Sequence, residues 1–414
     1  MAAGRMASSP ANRRVMVTGL GAVSAAGWGV ARLREALRAG ETLIASFDRL
    51  DHSRQRTHLA AQVPALEASA RADFATADLS LADRFAVAAA LEAIADAGLE
   101  RIPGPRTGVF FGSTTGGLYE TERYVEAIVE RPDRRPPRAL LASHSLSAPG
   151  EAVARQLGIE GPVETVSSAC SSGSLAIEQA LRAVRSGEVD IALAGGSDVL
   201  CLTTYSGFNA LRAVASEPCR PFRASRSGMS LGEGAAVIVL ESIEHAHSRR
   251  ARVWCELVGA GSSCDASHMT APHPAGVGAA AAIERSLADA GLDASDIDVV
   301  NAHATGTPLN DAAETAALAL VFGERVKSLP LEATKGLLGH LLGTAGAIEA
   351  VAAILGLTAG EVRPTPGGGD VDPALAVRLV HDRPLPIPLR TALSISLGFG
   401  GANAALVLRC QEEA

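Results

Sequence analysis

The sequence predicts an α/β protein built by internal duplication, and three observations carry that prediction. Short β-branched runs alternate with Ala-rich stretches of helical period along the chain, the pattern of sheets buried between helices. Hydrophobic residues make up 47% of the 414 residues but aromatic residues only 3%, so the core has to be filled by Ala, Val, Leu and Ile. The third observation is a set of internal repeats. Ala95-Asp96-Ala97-Gly98-Leu99 recurs as Ala288-Asp289-Ala290-Gly291-Leu292, each time ending an Ala-rich helix before a buried strand. Val17-Thr18-Gly19-Leu20-Gly21 has an echo in Leu257-Val258-Gly259-Ala260-Gly261, and Ala176-Ile177-Glu178 recurs as Ala347-Ile348-Glu349. One such pair could arise by chance in Ala-rich helices; three in the same order point to a duplication. Its boundary falls near Ser248–Arg252, where charge interrupts the pattern, giving halves of residues 1–250 and 251–414.

Element by element, strands are expected at Val15–Thr18, Thr107–Phe111, Val189–Ala194, Ala235–Leu240, Asp298–Ala302 and Ala404–Leu408. Gly19-Leu20-Gly21 reads as the turn after the first of them. Helices are expected at Leu81–Ala97, Ser174–Ser186, Gly278–Ala290, Ala312–Phe322 and Ala345–Thr358. A duplicated unit sets equivalent helix N-termini opposite each other. Cys170 lies six residues before one repeated Ala-Ile-Glu and His340 seven before the other, so these two side chains should meet at the pseudo-twofold axis.

Composition excludes several function classes. A net charge of −8 gives no sign of a nucleic-acid partner. The six cysteines form no CxxC pair and no paired His spacing, which argues against a zinc site and a disulfide framework; free thiols suit a cytoplasmic protein. Arg13-Arg14 before the uncharged run from Val15 to Ala31 imitates a signal peptide, but the glycines and Trp28 within it favour a strand and turn. No other segment is expected to span a membrane, which needs about 18 apolar residues.

The candidate chemistry begins at Cys170, in Ser167-Ser168-Ala169-Cys170-Ser171-Ser172-Gly173-Ser174, where an extended segment runs into a helix. A sulfur at such an elbow meets the unpaired N–H groups and positive dipole end of the helix, which favour a thiolate and lower the thiol pKa. The other cysteines lack this setting and read as packing residues. His303 follows a buried strand in Asn301-Ala302-His303-Ala304-Thr305-Gly306-Thr307-Pro308, a loop at the end of a sheet where α/β proteins bind ligands. His340 stands among glycines ahead of a helix, in Lys335-Gly336-Leu337-Leu338-Gly339-His340. A single histidine is usually structural. Two in Gly-rich loops, beside an elbow cysteine, are harder to dismiss.

The Cys elbow, the His-Ala-Thr-Gly-Thr-Pro loop and the Lys-x4-His segment resemble, in order and spacing, the signature motifs of elongating β-ketoacyl-acyl-carrier-protein synthases. Ser396-Leu397-Gly398-Phe399-Gly400-Gly401-Ala402-Asn403 is similar to that family's C-terminal Gly-Phe-Gly-Gly loop. Cys219-Arg220-Pro221-Phe222, Gly232-Glu233-Gly234 and Asp265-Ala266-Ser267-His268-Met269-Thr270 extend the similarity, which runs from about Val15 to Leu408. The resemblance implies a thiolase-like fold, two duplicated αβαβα halves forming a five-layered core, with the nucleophile in the first half and the histidines in the second. It also implies decarboxylative condensation in fatty acid or type II polyketide or polyene biosynthesis. Cys170 would take the acyl group as a thioester, and the amides of Cys170 and Phe399 would form the oxyanion hole. His303 and His340 would stabilise the enolate from malonyl-ACP, and Lys335 would order the site through an ion pair with Glu314. No metal or organic cofactor is implied. Initiating synthases use Asn in place of the second histidine, so His340 argues against them; thiolases use a second cysteine as base, and the Gly-rich loop has none.

Some positions depart from the pattern. Leu397 replaces the usual first Phe of the Gly-Phe-Gly-Gly loop, and Arg223 and Ser227 stand where acidic residues are common. Thr115 occupies the acyl-pocket position, which suggests a more polar channel. The resemblance sets Arg134, Arg135 and Arg212 near the entrance for an acidic acyl carrier protein. It leaves open a homodimer or a heterodimer with a chain-length factor. It also leaves a different class of reading, a non-catalytic scaffold of chain-length-factor type or an obligate-partner subunit that merely retains Cys170.

Overall fold

The computed structural model describes residues 13–65, 79–100, 102 and 104–411. The first half contributes β1 (Val15–Ser24), β2 (Thr107–Gly112), β3 (Val163–Val166), β4 (Ile191–Asp198) and β5 (Gly234–Ser242). The second contributes β6 (Cys255–Cys264), β7 (Val299–Asn301), β8 (Pro330–Glu332), β9 (Arg378–Leu379), β10 (Thr391–Leu397) and β11 (Ala402–Arg409). With Gly27–Trp28 folded back on β1, they form one 12-stranded sheet in the order β9-β8-β7-β10-β11-β6-β1-β5-β4-β2-β3. Outward from the centre one half runs 1-5-4-2-3 and the other 6-11-10-7-8. The pairings correspond as well: β2 is parallel to β3 and β4, as β7 is to β8 and β10, and the strands nearer the centre are antiparallel in both halves. The duplication read from the repeats is therefore a local twofold arrangement of strands.

Only Met16↔Glu256 and Val17↔Cys255 join β1 to β6, so the two half-sheets touch at one end and diverge. Among the helices are α1 (Leu81–Asp96), α2 (Leu118–Glu130), α3 (Ala148–Leu157), α4 (Ser172–Ser186), α5 (Val277–Ala290), α6 (Pro308–Phe322) and α7 (Ala345–Ala359). Helices α4 and α7 pack on each other and fill the space between the half-sheets; α1 and α3 cover one outer face, α5 and α6 the other. These are the five layers of the thiolase-like fold. The segment Leu342–Ala359 has the length and hydropathy of a membrane span, contrary to the sequence expectation, but it is 89% buried within the core. Its apolar surface on every side reflects its place in the middle layer.

The sequence expectation of a turn at Gly19-Leu20-Gly21 is corrected. β1 continues through it with a register shift between Val17 and Gly19, and β6 shifts in the same place between Leu257 and Gly259. The glycines serve close approach: a Cβ on Gly19 would lie 2.1 Å from the Ala93 carbonyl oxygen of α1, and one on Gly259 2.4 Å from that of Ser286 in α5. A second pair sits at the axis. A Cβ on Gly173 would lie 2.8 Å from the Ala347 nitrogen, and one on Gly346 2.2 Å from Ser174 Oγ. The N-termini of α4 and α7 thus abut, which brings the loops carrying Cys170 and His340 together.

Candidate active site

Cys170 lies on the turn from β3 into α4, two residues before the helix begins. The residue before it, Ala169, has φ 47°, a left-handed conformation unfavourable for any residue with a Cβ. Such strain is held only where surrounding structure imposes it. The thiol is buried, and the Phe399 amide donates a hydrogen bond to it. Burial pushes the thiol up to about 11, while Lys335 and the Phe399 amide pull it down. The expected thiolate is therefore corrected to a thiol, because in so enclosed a place desolvation outweighs the favourable charges.

His303 follows β7. Glu314, on α6, accepts the amides of His303 and Ala304 at 2.6 and 2.8 Å, clamping a loop in which Ala304 has φ 43°. Lys335 Nζ lies 3.1 Å from His303 Nδ1. An ammonium has only donors to offer, so Nδ1 accepts and the ring proton resides on Nε2. His340 reaches the same state differently: its Nδ1 accepts the Leu342 amide at 3.0 Å. Its buried Nε2 has no hydrogen-bond partner among the described residues. Burial, reinforced by Lys335, holds both histidines well below the usual imidazole pKa. Both are therefore neutral, with Nε2–H donors. The rings stand edge to face with centroids 5.4 Å apart. One ligating atom of each of Cys170, His303 and His340 lies within 4.8 Å of the others. A metal ion would need lone pairs where the imidazoles carry protons, so this arrangement suits an oxyanion better.

The ion pair expected between Lys335 and Glu314 is corrected. Lys335 pairs with Glu349, from α7, inside the core. Glu314 is already engaged by the two amides and by Asn310 Nδ2. Burial pushes Glu314 up to about 8 and Glu349 up to about 7, the latter opposed by Lys335. Glu349 was visible in the sequence only as part of the repeated Ala-Ile-Glu. Its counterpart Glu178 pairs with Arg182 on the far side of the axis.

Cys170, His303 and His340 line a cavity of about 480 Å³. Leu211, Ala213, Met229, Leu397 and Phe399 supply an apolar wall, and Thr270, Thr305 and Thr307 supply hydroxyls. These threonines lie within quoted motifs, but sequence reasoning assigned them no role. Phe399 is half-buried, its ring 5.7 Å from that of Phe208. Arg212 is exposed and lines the cavity; Arg134 and Arg135 are exposed on the loop after α2 and do not line it. Thr115 is not part of this wall either. Its hydroxyl donates to Asp198 at 2.9 Å. Arg223 is buried and donates to the carbonyls of Gly369 and Thr365 rather than joining an ion-pair network with a carboxylate.

Comparison with known proteins identifies the family. Residues 12–246 match the family model of the β-ketoacyl synthase N-terminal domain, and residues 254–368 that of the C-terminal domain. The chain is 34% identical over 409 residues to 3-oxoacyl-[acyl-carrier-protein] synthase 2 of Staphylococcus aureus (strain COL), covering 96% of this chain and 98% of that protein. Among solved structures, the ishigamide ketosynthase/chain length factor aligns with TM-score 0.91 and 34% identity over 97% of this chain and 100% of its own. A type II polyketide synthase acyl-carrier protein in complex with its ketosynthase bound to the hexaketide (AntDE:AntF) aligns with TM-score 0.89 and 30% identity, covering 96% of this chain and 100% of that one. The chain belongs to the β-ketoacyl synthase family.

Proposed function

We propose that the protein is an elongating 3-oxoacyl-[acyl-carrier-protein] synthase, acting in fatty acid or type II polyketide biosynthesis. The observation that carries this reading is the pair of neutral Nε2–H donors beside a buried nucleophilic sulfur. In the first step the Cys170 sulfur attacks the acyl thioester of acyl-ACP. The S–acyl bond forms, the carrier thiol leaves, and the thiol proton of Cys170 ends on that leaving sulfur. The amides of Cys170 and Phe399 stabilise the tetrahedral oxyanion, and the Phe399 amide already points at the sulfur. In the second step malonyl-ACP loses CO2, and the electron pair of the broken C–C bond becomes an enolate whose oxygen accepts from His303 and His340 Nε2–H. The enolate carbon attacks the acyl-Cys170 carbonyl, and Cys170 leaves as a thiolate that takes up one proton from solvent. Neutral donors suit this charge, since they stabilise the enolate without protonating it.

The carrier protein, whose phosphopantetheine arm would enter beside Thr270, Thr305 and Thr307, is proposed as the partner, with Arg134, Arg135 and Arg212 as its landing charges. A homodimer, or a heterodimer with a chain-length factor, in the cytoplasm completes the reading. The halves 1–250 and 251–414 are proposed as the units of the duplication. The test is incubation with acyl-ACP and malonyl-ACP, read as CO2 release and an acyl chain two carbons longer. Absence of product, with or without a chain-length factor, would leave the scaffold reading. In the same assay, charge reversal at Arg134 and Arg135 should raise KM for acyl-ACP roughly tenfold while sparing small thioesters. An unchanged KM would remove these arginines from the carrier surface.

A further inference from the structure

One buried carboxylate outside the reacting centre ties the two halves together next to His340. Asp198 ends β4 and is fully buried, and among the described residues no lysine or arginine is bonded to it. Its Oδ1 accepts from the amides of Thr114 and Thr115 at 2.8 and 2.7 Å and from the hydroxyls of Ser113 and Thr115 at 3.0 and 2.9 Å. Its Oδ2 accepts the Thr114 hydroxyl at 3.1 Å and, from the second half, the Thr344 amide at 3.2 Å. Thr114 Oγ1 in turn accepts the Gly343 amide at 3.3 Å. Gly343 is pressed against the same group, since a Cβ there would lie 2.8 Å from Asp198 Oδ2.

The segment so gripped follows directly on Leu342, whose amide donates to His340 Nδ1. Leu342 has φ 55°, an unfavourable conformation for a branched side chain, and needs an outside hold to stay there. Ser230 and Gly232 fix the His340 backbone from the other side but leave its ring tautomer undetermined. Resting on the proposed condensing function, we propose that Asp198 is a positioning residue. By holding Gly343 and Thr344 it keeps the Leu342 amide on His340 Nδ1 and so keeps the His340 Nε2–H turned into the cavity. The residue acts on the enolate-stabilising step through another side chain and touches no substrate.

The test is Asp198→Asn in the full chain. An asparagine oxygen can replace Oδ1 toward Thr114 and Thr115, but its amide nitrogen then faces the Thr344 N–H, donor against donor. Condensation should fall roughly 10- to 100-fold, within the range spanned by loss of a second-layer partner. Loading of Cys170 from acyl-ACP should stay within about threefold, because that step does not use His340. In 15N-histidine spectra, His340 should lose its pure Nε2–H signature. Thr114→Val, which removes only the hydroxyl bridge to Gly343, should show the same split to a smaller extent and serves if Asp198→Asn does not fold. Equal loss of loading and condensation, or unchanged histidine spectra with full condensation, would overturn the proposal. Failure of the wild-type protein to condense at all would instead count against the function on which it rests.

Discussion

Replacing His340 by alanine is expected to lower condensation by roughly 10²–10³-fold, the usual loss on removing one preorganised donor to an oxyanion. Acylation of Cys170 should be almost untouched. His340 Nε2 is buried and has no hydrogen-bond partner among the described residues, which leaves its N–H available to a substrate oxygen. That oxygen gains most charge when malonyl-ACP loses CO2, and the donor's effect is therefore concentrated on the decarboxylation step. Burial holds the imidazole neutral, so the donor state does not depend on a proton taken up near neutral pH. Rapid-quench measurement of loading and of CO2 release, performed separately, checks the split. Equal loss of both steps would place His340 in the acylation machinery instead.

Lys335→Met is expected to affect both stability and condensation, by separable routes. Lys335 pairs with Glu349 in the core and donates to His303 Nδ1. Removing one partner of a buried pair typically costs about 3–5 kcal/mol. Here Glu349 stands already at about 7 and can take up a proton once the lysine is gone, which limits the cost at lower pH. The sign follows from linkage. Glu349 in the variant has a folded pKa above its unfolded value, so its contribution is fully present below the unfolded pKa and is lost as pH rises through the folded one. The variant should accordingly lose stability from about pH 5 upward. Adding Glu349→Leu should restore stability, since no lone buried carboxyl remains. Condensation should stay low in both variants, by about 10²-fold, because His303 has lost the donor that fixes its proton on Nε2. Urea unfolding across pH and CO2 release check the two effects; recovery of activity with stability would make Lys335 a packing residue only.

Much of this was legible from the chain. The repeats at Ala95–Leu99 and Ala288–Leu292 marked equivalent helices, because a duplicated unit keeps the residues that end a helix and return to a strand. The elbow at Cys170 and the loop after β7 were legible because small residues and glycines cluster where a backbone must turn sharply, although the left-handed positions themselves fall on Ala169 and Ala304. What was not legible was the choice among partners. The sequence holds several acidic residues able to meet Lys335, and only the packing of α7 between the half-sheets selects Glu349 over Glu314. The glycines at 19 and 21 read as a turn because local preference cannot see helix α1 pressing on the strand. The raised pKa of Cys170 was missed for a similar reason: the helix end is local, but burial is a property of the whole fold. Asp198 belonged to none of the motifs, and the strand it ends was expected to stop at Ala194.

The most direct test of the account is the intact mass of the protein after incubation with acyl-ACP, beside a Cys170→Ala control. The account predicts an acyl adduct on the wild-type chain, absent from the control, that disappears when malonyl-ACP is added. A wild-type protein that gains no mass from any acyl donor, or a control that still loads, would contradict it.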